Sequence, residues 1–270
     1  MNEIKLIAID IDGTLVDSSG KLRPKVIQTV KQAKDKGIKV VLCTGRPLPG
    51  VKPLLRQLGL DEQDDQYVVC FGGAVVETTS GKTLFEKGIT YNDFVDLEAI
   101  ARKLQLHFHA ISTDRIYTCN KDLGYYTLYE ANLVSMGISY RTPEEMRDVP
   151  LVKAMFVEDA ETLDPAIAKR EYFLPLNDRL DLMKTASFYY EAYAKGVNKG
   201  NALLKLCEIL GITEENIMAI GDEENDLSML KIARLGVAMG NAISKLKEVA
   251  DQITTDNDHD GVAEAIAKVL

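Results

Sequence analysis

Three short apolar runs in the first eighty residues each stop abruptly at a small cluster of turn-forming or polar residues. Leu6-Ile7-Ala8-Ile9 runs into Asp10-Ile11-Asp12-Gly13, Lys39 to Thr44 into Gly45-Arg46-Pro47, and Tyr67 to Phe71 into Gly72-Gly73. Unbroken apolar strands of this length are buried on both faces, as in a parallel sheet covered by helices on either side. The intervening segments carry the helical period. Val26, Ile27, Val30 and Ala33 recur between Pro24 and Gly37, and Val51, Leu54, Leu55 and Leu58 precede Gly59. The same texture returns near the other end, with a helix over Lys199 to Leu210, a strand over Ile217 to Ile220 ending in Gly221-Asp222, and a helix from Asp226. Val237 to Met239, a helix after Ala242, Ile253-Thr254 and a last helix from Gly261 complete it.

These alternations predict an α/β chain with a doubly wound, Rossmann-like parallel-sheet core built from residues 1–82 and 192–270. Residues 83–191 differ, with more aromatic residues, strand-like segments at Arg115 to Thr118, Leu151 to Val157 and Arg179 to Met183, and helices at Asn92 to Leu104 and Glu161 to Glu171. They are expected to form an inserted α+β domain. At 270 residues the chain has room for both.

The formal charge is −9, of which the insert holds −6 (18 acids, 12 bases), and no Lys/Arg run exceeds a pair. A nucleic-acid partner is excluded on that ground, since a phosphate backbone would be repelled. No apolar stretch approaches the ~18 residues of a membrane span, and the opening Met1-Asn2-Glu3-Ile4-Lys5 lacks the features of a secretory signal, so a cytoplasmic location without membrane association is expected. Cys43, Cys70, Cys119 and Cys207 are widely spaced and read as small buried hydrophobes. His107 and His109 would share a strand face, but no further cluster makes them a zinc site.

In an open parallel sheet the ligand sits outside the carboxyl ends of the strands. Asp10 and Asp12, Thr44 and Arg46, Gly72, and Asp222 with Asn225 and Asp226 all fall at such ends. Carboxylates gathered there repel one another without a cation, and a hard, oxygen-liganded ion such as Mg²⁺ answers that charge density. The Thr44 hydroxyl with the Gly45 N–H makes an anion-binding corner, and Lys199 at a helix start adds a point charge. An Asp can attack phosphorus covalently. Together these residues point to chemistry on a phosphate group.

Asp10-Ile11-Asp12-Gly13-Thr14-Leu15, Thr44-Gly45-Arg46-Pro47, Lys195-Gly196-Val197-Asn198-Lys199-Gly200 and Gly221-Asp222-Glu223-Glu224-Asn225-Asp226 resemble the four ordered motifs of the haloacid dehalogenase superfamily. The large insert between the second and third resembles its Cof-like phosphatase group. The resemblance implies a Mg²⁺-dependent phosphatase of small metabolites, sugar phosphates foremost. It implies Asp10 as nucleophile, Asp12 as general acid and base, and Thr44, Gly45, Arg46, Lys199 and Asn225 around the phosphoryl group or substrate. Asp10, the main-chain carbonyl of Asp12 and Asp222 would hold Mg²⁺, with Asp226 behind them and Asn225 helping to orient the shell. The insert would be a cap that selects the leaving group. One departure is the end of the third strand, where the family has Asn-Gly-Ala and this chain has Gly72-Gly73-Ala74.

Other readings of the same residues are a phosphosugar mutase, a phospho-Asp signalling module of the receiver type, and a non-catalytic sugar-phosphate sensor. Arg46 could serve the cap instead of the phosphate, Lys195 could stand in for Lys199, and Asp226 could cap the helix that follows it. The chain would be a monomer or a small homo-oligomer.

Overall fold

In a computed structural model that describes residues 3–270, the chain forms two compact units. Met1 and Asn2, part of the stretch read above for a signal, lie outside the described residues. The first unit runs up to Phe85 and resumes at Asn198–Leu270; the second is Glu86–Val197. Both junctions fall slightly later than the 82/83 and 191/192 positions expected from composition. The strand at Thr83–Glu86 belongs to the sheet of the first unit, and the one at Tyr189–Ala194 to the sheet of the second.

Along the chain the elements are β1 (Leu6–Asp10), α1 (Pro24–Asp35), β2 (Lys39–Cys43), α2 (Leu48–Leu58), β3 (Tyr67–Cys70), β4 (Val75–Thr78) and β5 (Thr83–Glu86). The second unit contributes α3 (Tyr91–Leu104), β6 (His107–Ile111), β7 (Arg115–Thr118), α4 (Tyr125–Val134), β8 (Gly137–Tyr140), β9 (Lys153–Val157), α5 (Ala160–Ile167), β10 (Leu180–Ala186) and β11 (Tyr189–Ala194). The first unit resumes with α6 (Lys199–Leu210), β12 (Ile217–Gly221), α7 (Leu227–Ile232), β13 (Leu235–Ala238), α8 (Ser244–Val249), β14 (Gln252–Ile253) and α9 (Gly261–Ala267).

The first unit is an eight-stranded sheet of order β14-β13-β12-β1-β2-β3-β4-β5. β1 pairs in parallel with β2 on one side and β12 on the other, with Ile9 opposite both Leu42 and Ile220. Leu6, Ile7, Ala8 and Ile9 are fully buried, which is why β1 reads as a continuous apolar run. Successive strands move outward from β1 in one direction through β2 and β3, and in the other through β12, β13 and β14. The order therefore reverses between β1 and β12, and that reversal opens a crevice at their carboxyl ends. β4 and β5 were not anticipated: Val75–Thr78 turns back after Gly73 and pairs antiparallel with β3, a hairpin edge added to the parallel sheet.

The second unit is a six-stranded sheet of order β10-β11-β9-β6-β7-β8. Its interior holds Phe108 of β6, in tilted contact with Phe94 of α3 and with Phe156 of β9. Thr90 and Asp93 close a capping box that starts α3, satisfying two otherwise unpaired amides. The helix expected over 161–171 stops at Ile167, and a separate short turn follows at Arg170–Tyr172. His107 and His109 lie on one face of β6, as the spacing predicts. His107 pairs with Glu158 and His109 with Thr127. The four cysteines are free, three of them buried.

Candidate active site

Asp10 is the last residue of β1, and Asp222 follows β12 directly, so the two neighbouring parallel strands deliver both carboxyl groups to the crevice at the reversal point. A tight turn over Glu224–Asp226 then folds Asp226 back beneath them. One carboxylate oxygen from each of Asp10, Asp222 and Asp226 lies within 4.8 Å of the others, and all three side chains are buried. This is the one such cluster of potential metal ligands among the described residues.

Lys199, at the first turn of α6, is 1% exposed and places its ammonium between two of these carboxylates. It donates to Asp10 Oδ1 and, at 2.7 Å, to Asp226 Oδ1. The other oxygen of Asp226 accepts the backbone N–H groups of Asp222 (3.0 Å) and Glu223 (3.1 Å). With both oxygens engaged, Asp226 fixes the loop that carries Asp222 and the ammonium that touches Asp10. Asp222 in turn accepts the Thr14 hydroxyl at 2.6 Å.

Three buried carboxylates against one ammonium leave the cluster acidic. Burial raises Asp10 above the ordinary carboxylate range, and the charges of Asp226 and Asp222 add to that, against the lowering effect of Lys199. Asp222 is pushed up to about 6 by burial, with Asp226 and Glu223 reinforcing and the Thr14 hydrogen bond opposing. Burial would depress Lys199, but the flanking carboxylates outweigh it and hold the ammonium above its usual range. The donor set consists of hard oxygens in a site short of positive charge, which fits a divalent cation such as Mg²⁺.

The remaining sequence-predicted residues gather less uniformly. Thr44, 1% exposed at the end of β2, accepts the Arg46 N–H on its hydroxyl at 3.1 Å. That shapes the turn over exposed Gly45 into a corner where amide and hydroxyl stand together. Asp12 turns away from the acidic cluster. Its carboxylate is exposed and pairs in two places with the Arg46 guanidinium, at 3.0 Å through Nε and again through Nη2. Arg46, expected among the phosphate-binding residues, therefore sits on the carboxylate expected to act as acid and base. Asn225 is exposed on the turn between Asp222 and Asp226. Lys195 pairs with Asp181 in the second unit, on the exposed side of β10, so the buried position belongs to Lys199.

Two contributors had been given no role from sequence. Thr14 was legible as part of the Asp-Gly-Thr run, but its partner lies 208 residues away. Asn241, whose side chain donates to the Gly13 carbonyl at 2.8 Å, carries no local signal. Gly13 itself takes φ +82°, and a Cβ there would collide with the Asp222 carboxylate, so the close approach of β1 and β12 loops requires glycine. Gly72 takes φ +65°, ψ 14°, a left-handed conformation that asparagine also tolerates. An asparagine at position 72 could therefore take the backbone that Gly72 takes here, and this chain lacks only its amide.

The sequence profile of haloacid dehalogenase-like hydrolases matches residues 7–266. A candidate phosphatase of Streptococcus pyogenes serotype M6 is 41% identical over 266 residues, covering 98% of each chain. The 5-amino-6-(5-phospho-D-ribitylamino)uracil phosphatase YcsE of Bacillus subtilis is 33% identical over 266 residues, covering 98% of this chain and 95% of its own. The crystal structure of a haloacid dehalogenase-like hydrolase from Bacteroides thetaiotaomicron is similar with a TM-score of 0.87 at 34% identity, over 99% of this chain and 100% of that one.

Proposed function

The chain belongs to the haloacid dehalogenase-like hydrolase family as one of its phosphatases, and we propose that it hydrolyses small phosphorylated metabolites, sugar or polyol phosphates foremost, through a phosphorylated Asp10 with Mg²⁺. The observation that carries this is the buried cluster of Asp10, Asp222 and Asp226 around Lys199 at the strand-order reversal. The relative whose name specifies a phosphate ester on a ribityl chain supports the substrate class. No helix among the described residues is long and apolar enough to cross a membrane.

Asp10 and Asp222 would hold the cation, which supplies positive charge to the phosphoryl oxygens when bound. Asp226 holds Asp222 and Lys199 in place through the contacts above. A carboxylate oxygen of Asp10 attacks phosphorus as the bond to the leaving oxygen breaks. Asp12 gives its proton to that oxygen, so an alcohol departs and an acyl phosphate remains on Asp10. Asp12, now ionised, takes a proton from a water whose oxygen attacks phosphorus. Inorganic phosphate leaves, and both carboxyl groups return to their starting states. Lys199, the Thr44 hydroxyl and the Gly45 amide receive the charge on the phosphoryl oxygens during both transfers. Asp12 leaves its pair with Arg46 to take up the proton that it delivers.

The test is release of inorganic phosphate from a panel of sugar, polyol and nucleotide phosphates, with Mg²⁺ and with EDTA. Wild type should turn over the sugar and polyol esters only with the metal, and Asp10→Asn should be inactive. Undiminished release by Asp10→Asn, or formation of an isomeric sugar phosphate in place of free phosphate, would sink the reading.

A further inference from the structure

Gly13 follows Asp12 directly in the loop between β1 and α1. A glycine leaves the backbone joint beside Asp12 freer to turn than any other residue would. Contacts from far along the chain hold the main chain of this loop. Asn241 Nδ2 donates to the Gly13 carbonyl at 2.8 Å, and Asn257 Nδ2 donates to the Val16 carbonyl at 2.9 Å. A little further on, the Asp258 carboxylate accepts the Ser18 N–H at 2.9 Å.

Asn241 follows β13 and Asn257 follows β14, so both stand at the carboxyl end of the sheet that also carries Asp10 and Asp222. Their two loops are tied together. The Gly240 N–H donates to the Thr255 carbonyl at 3.1 Å, the Thr254 N–H to the Ala238 carbonyl at 3.0 Å, and the Asn257 N–H to Asn241 Oδ1 at 3.2 Å. The first loop is also tied to the end of β12, through Met239 N–H to the Gly221 carbonyl and Ile243 N–H to the Asp222 carbonyl, each at 3.0 Å. Both ends of the Asn241 amide are thus used, Nδ2 on the loop of Asp12 and Oδ1 on the loop of Asn257.

We infer that Asn241 and Asn257 are positioning residues for Asp12, a role that rests on Asp12 being the group that protonates the leaving oxygen. The Asp12 carboxylate is paired with Arg46 and must exchange that partner for the leaving oxygen. With the Gly13 and Val16 carbonyls held, the exchange needs rotation of the Asp12 side chain alone. With those carbonyls released, the glycine joint lets the whole residue swing, and the carboxyl group is spread over positions from which it cannot reach. Proton transfer falls steeply with such misplacement. Neither asparagine acts on the reacting atoms; each acts through the backbone.

This role has a signature that general weakening of the fold lacks. A misplaced proton donor matters only where the departing oxygen needs a proton. The alkoxide of a sugar or polyol is a poor leaving group and needs one, whereas p-nitrophenoxide departs without help. The ratio kcat/KM reports the steps up to departure of the leaving group, so it isolates this proton from the later activation of water. Damage to the cation site, or to the corner at Thr44 and Gly45, would instead slow both kinds of ester.

Steady-state kinetics of the full chain at saturating Mg²⁺ on a hexose phosphate and on p-nitrophenyl phosphate reads the outcome, with Asp12→Asn as reference. Asn241→Ala and Asn257→Ala should each lower kcat/KM for the hexose phosphate about tenfold and leave that for p-nitrophenyl phosphate within about twofold of wild type. The retained aryl ester activity shows that the site is folded. The double variant should fall short of the product of the two single losses, because both side chains hold one loop. Asp12→Asn should show the same preference for the aryl ester, more strongly. Equal losses on both esters overturn the inference, and so does wild-type turnover of the hexose phosphate by the double variant while Asp12→Asn loses it. If Asp12→Asn itself keeps the wild-type kcat/KM on the hexose phosphate, the assignment of Asp12 falls and the role of the two asparagines falls with it.

Discussion

Lowering the pH should weaken the inserted unit through one residue, His109. It is fully buried on β6, shares a hydrogen bond with Thr127 Oγ1 at 3.2 Å through Nδ1, and has no partner at Nε2. Burial, aided by the nearby Lys153 charge, depresses it from 6.5 to about 3. Between those values the unfolded chain binds a proton that the folded unit refuses, so stability rises with pH across the window and is lost as pH falls below 6.5. From pH 7.5 to pH 4.5 the unfolded imidazole gains nearly one full proton over close to two pH units. At about 1.4 kcal/mol per unit this costs between about 2 and 3 kcal/mol.

The chain has no Trp, and ten of its eleven tyrosines lie within Glu86–Val197, so tyrosine emission during urea unfolding reports on this unit. Carboxylates also titrate in the interval, but they are common to wild type and to His109→Gln. The difference in unfolding free energy between the two proteins should therefore shift by about 2 to 3 kcal/mol in favour of His109→Gln at the lower pH. Parallel pH profiles would refute the reasoning, because they would mean that the imidazole accepts its proton inside the fold.

Lys199→Met leaves three buried carboxylates without their ammonium and should cost about 3 to 5 kcal/mol; thermal melts should recover part of that loss on adding Mg²⁺. Because Asp10 and Asp222 are both raised, the contribution of this cluster to the stability of the first unit without metal should decline as pH rises from about 4 to about 8, whereas Mg²⁺ affinity should increase with pH and release protons. Calorimetry in buffers of different ionisation enthalpy measures that release. Thr14→Val keeps the shape and removes the hydrogen bond to Asp222; a stability loss of about 1 to 2 kcal/mol and weaker Mg²⁺ binding are expected by the same two methods.

Much of the core was legible because its signals are local. A strand buried on both faces must be an apolar run, so β1, β2, β3 and β12 announce themselves over four or five residues each. β4 and β5 do not, because an antiparallel hairpin edge at Val75–Thr78 depends on where the chain turns after Gly73, not on its own pattern. On α4 the apolar side chains Tyr125, Leu128, Tyr129 and Leu133 lie exposed, because periodicity marks apolar positions without saying which side is covered.

The site divides in the same way. The sequence alone determined which residues end the strands: Asp10, Asp12, Thr44 and Asp222 are placed there by where each apolar run stops. Tertiary structure decided which of them meet. Strand order brings β1 beside β12, so Asp10 joins Asp222 and Asp226 across more than two hundred residues. Asp12, two residues from Asp10, turns outward to Arg46. The buried ammonium of Lys199 became the centre of the cluster only when α6 was laid against these strands. Alternation along a chain fixes the side from which a residue projects, whereas the charges it must balance come from whatever the fold packs against it.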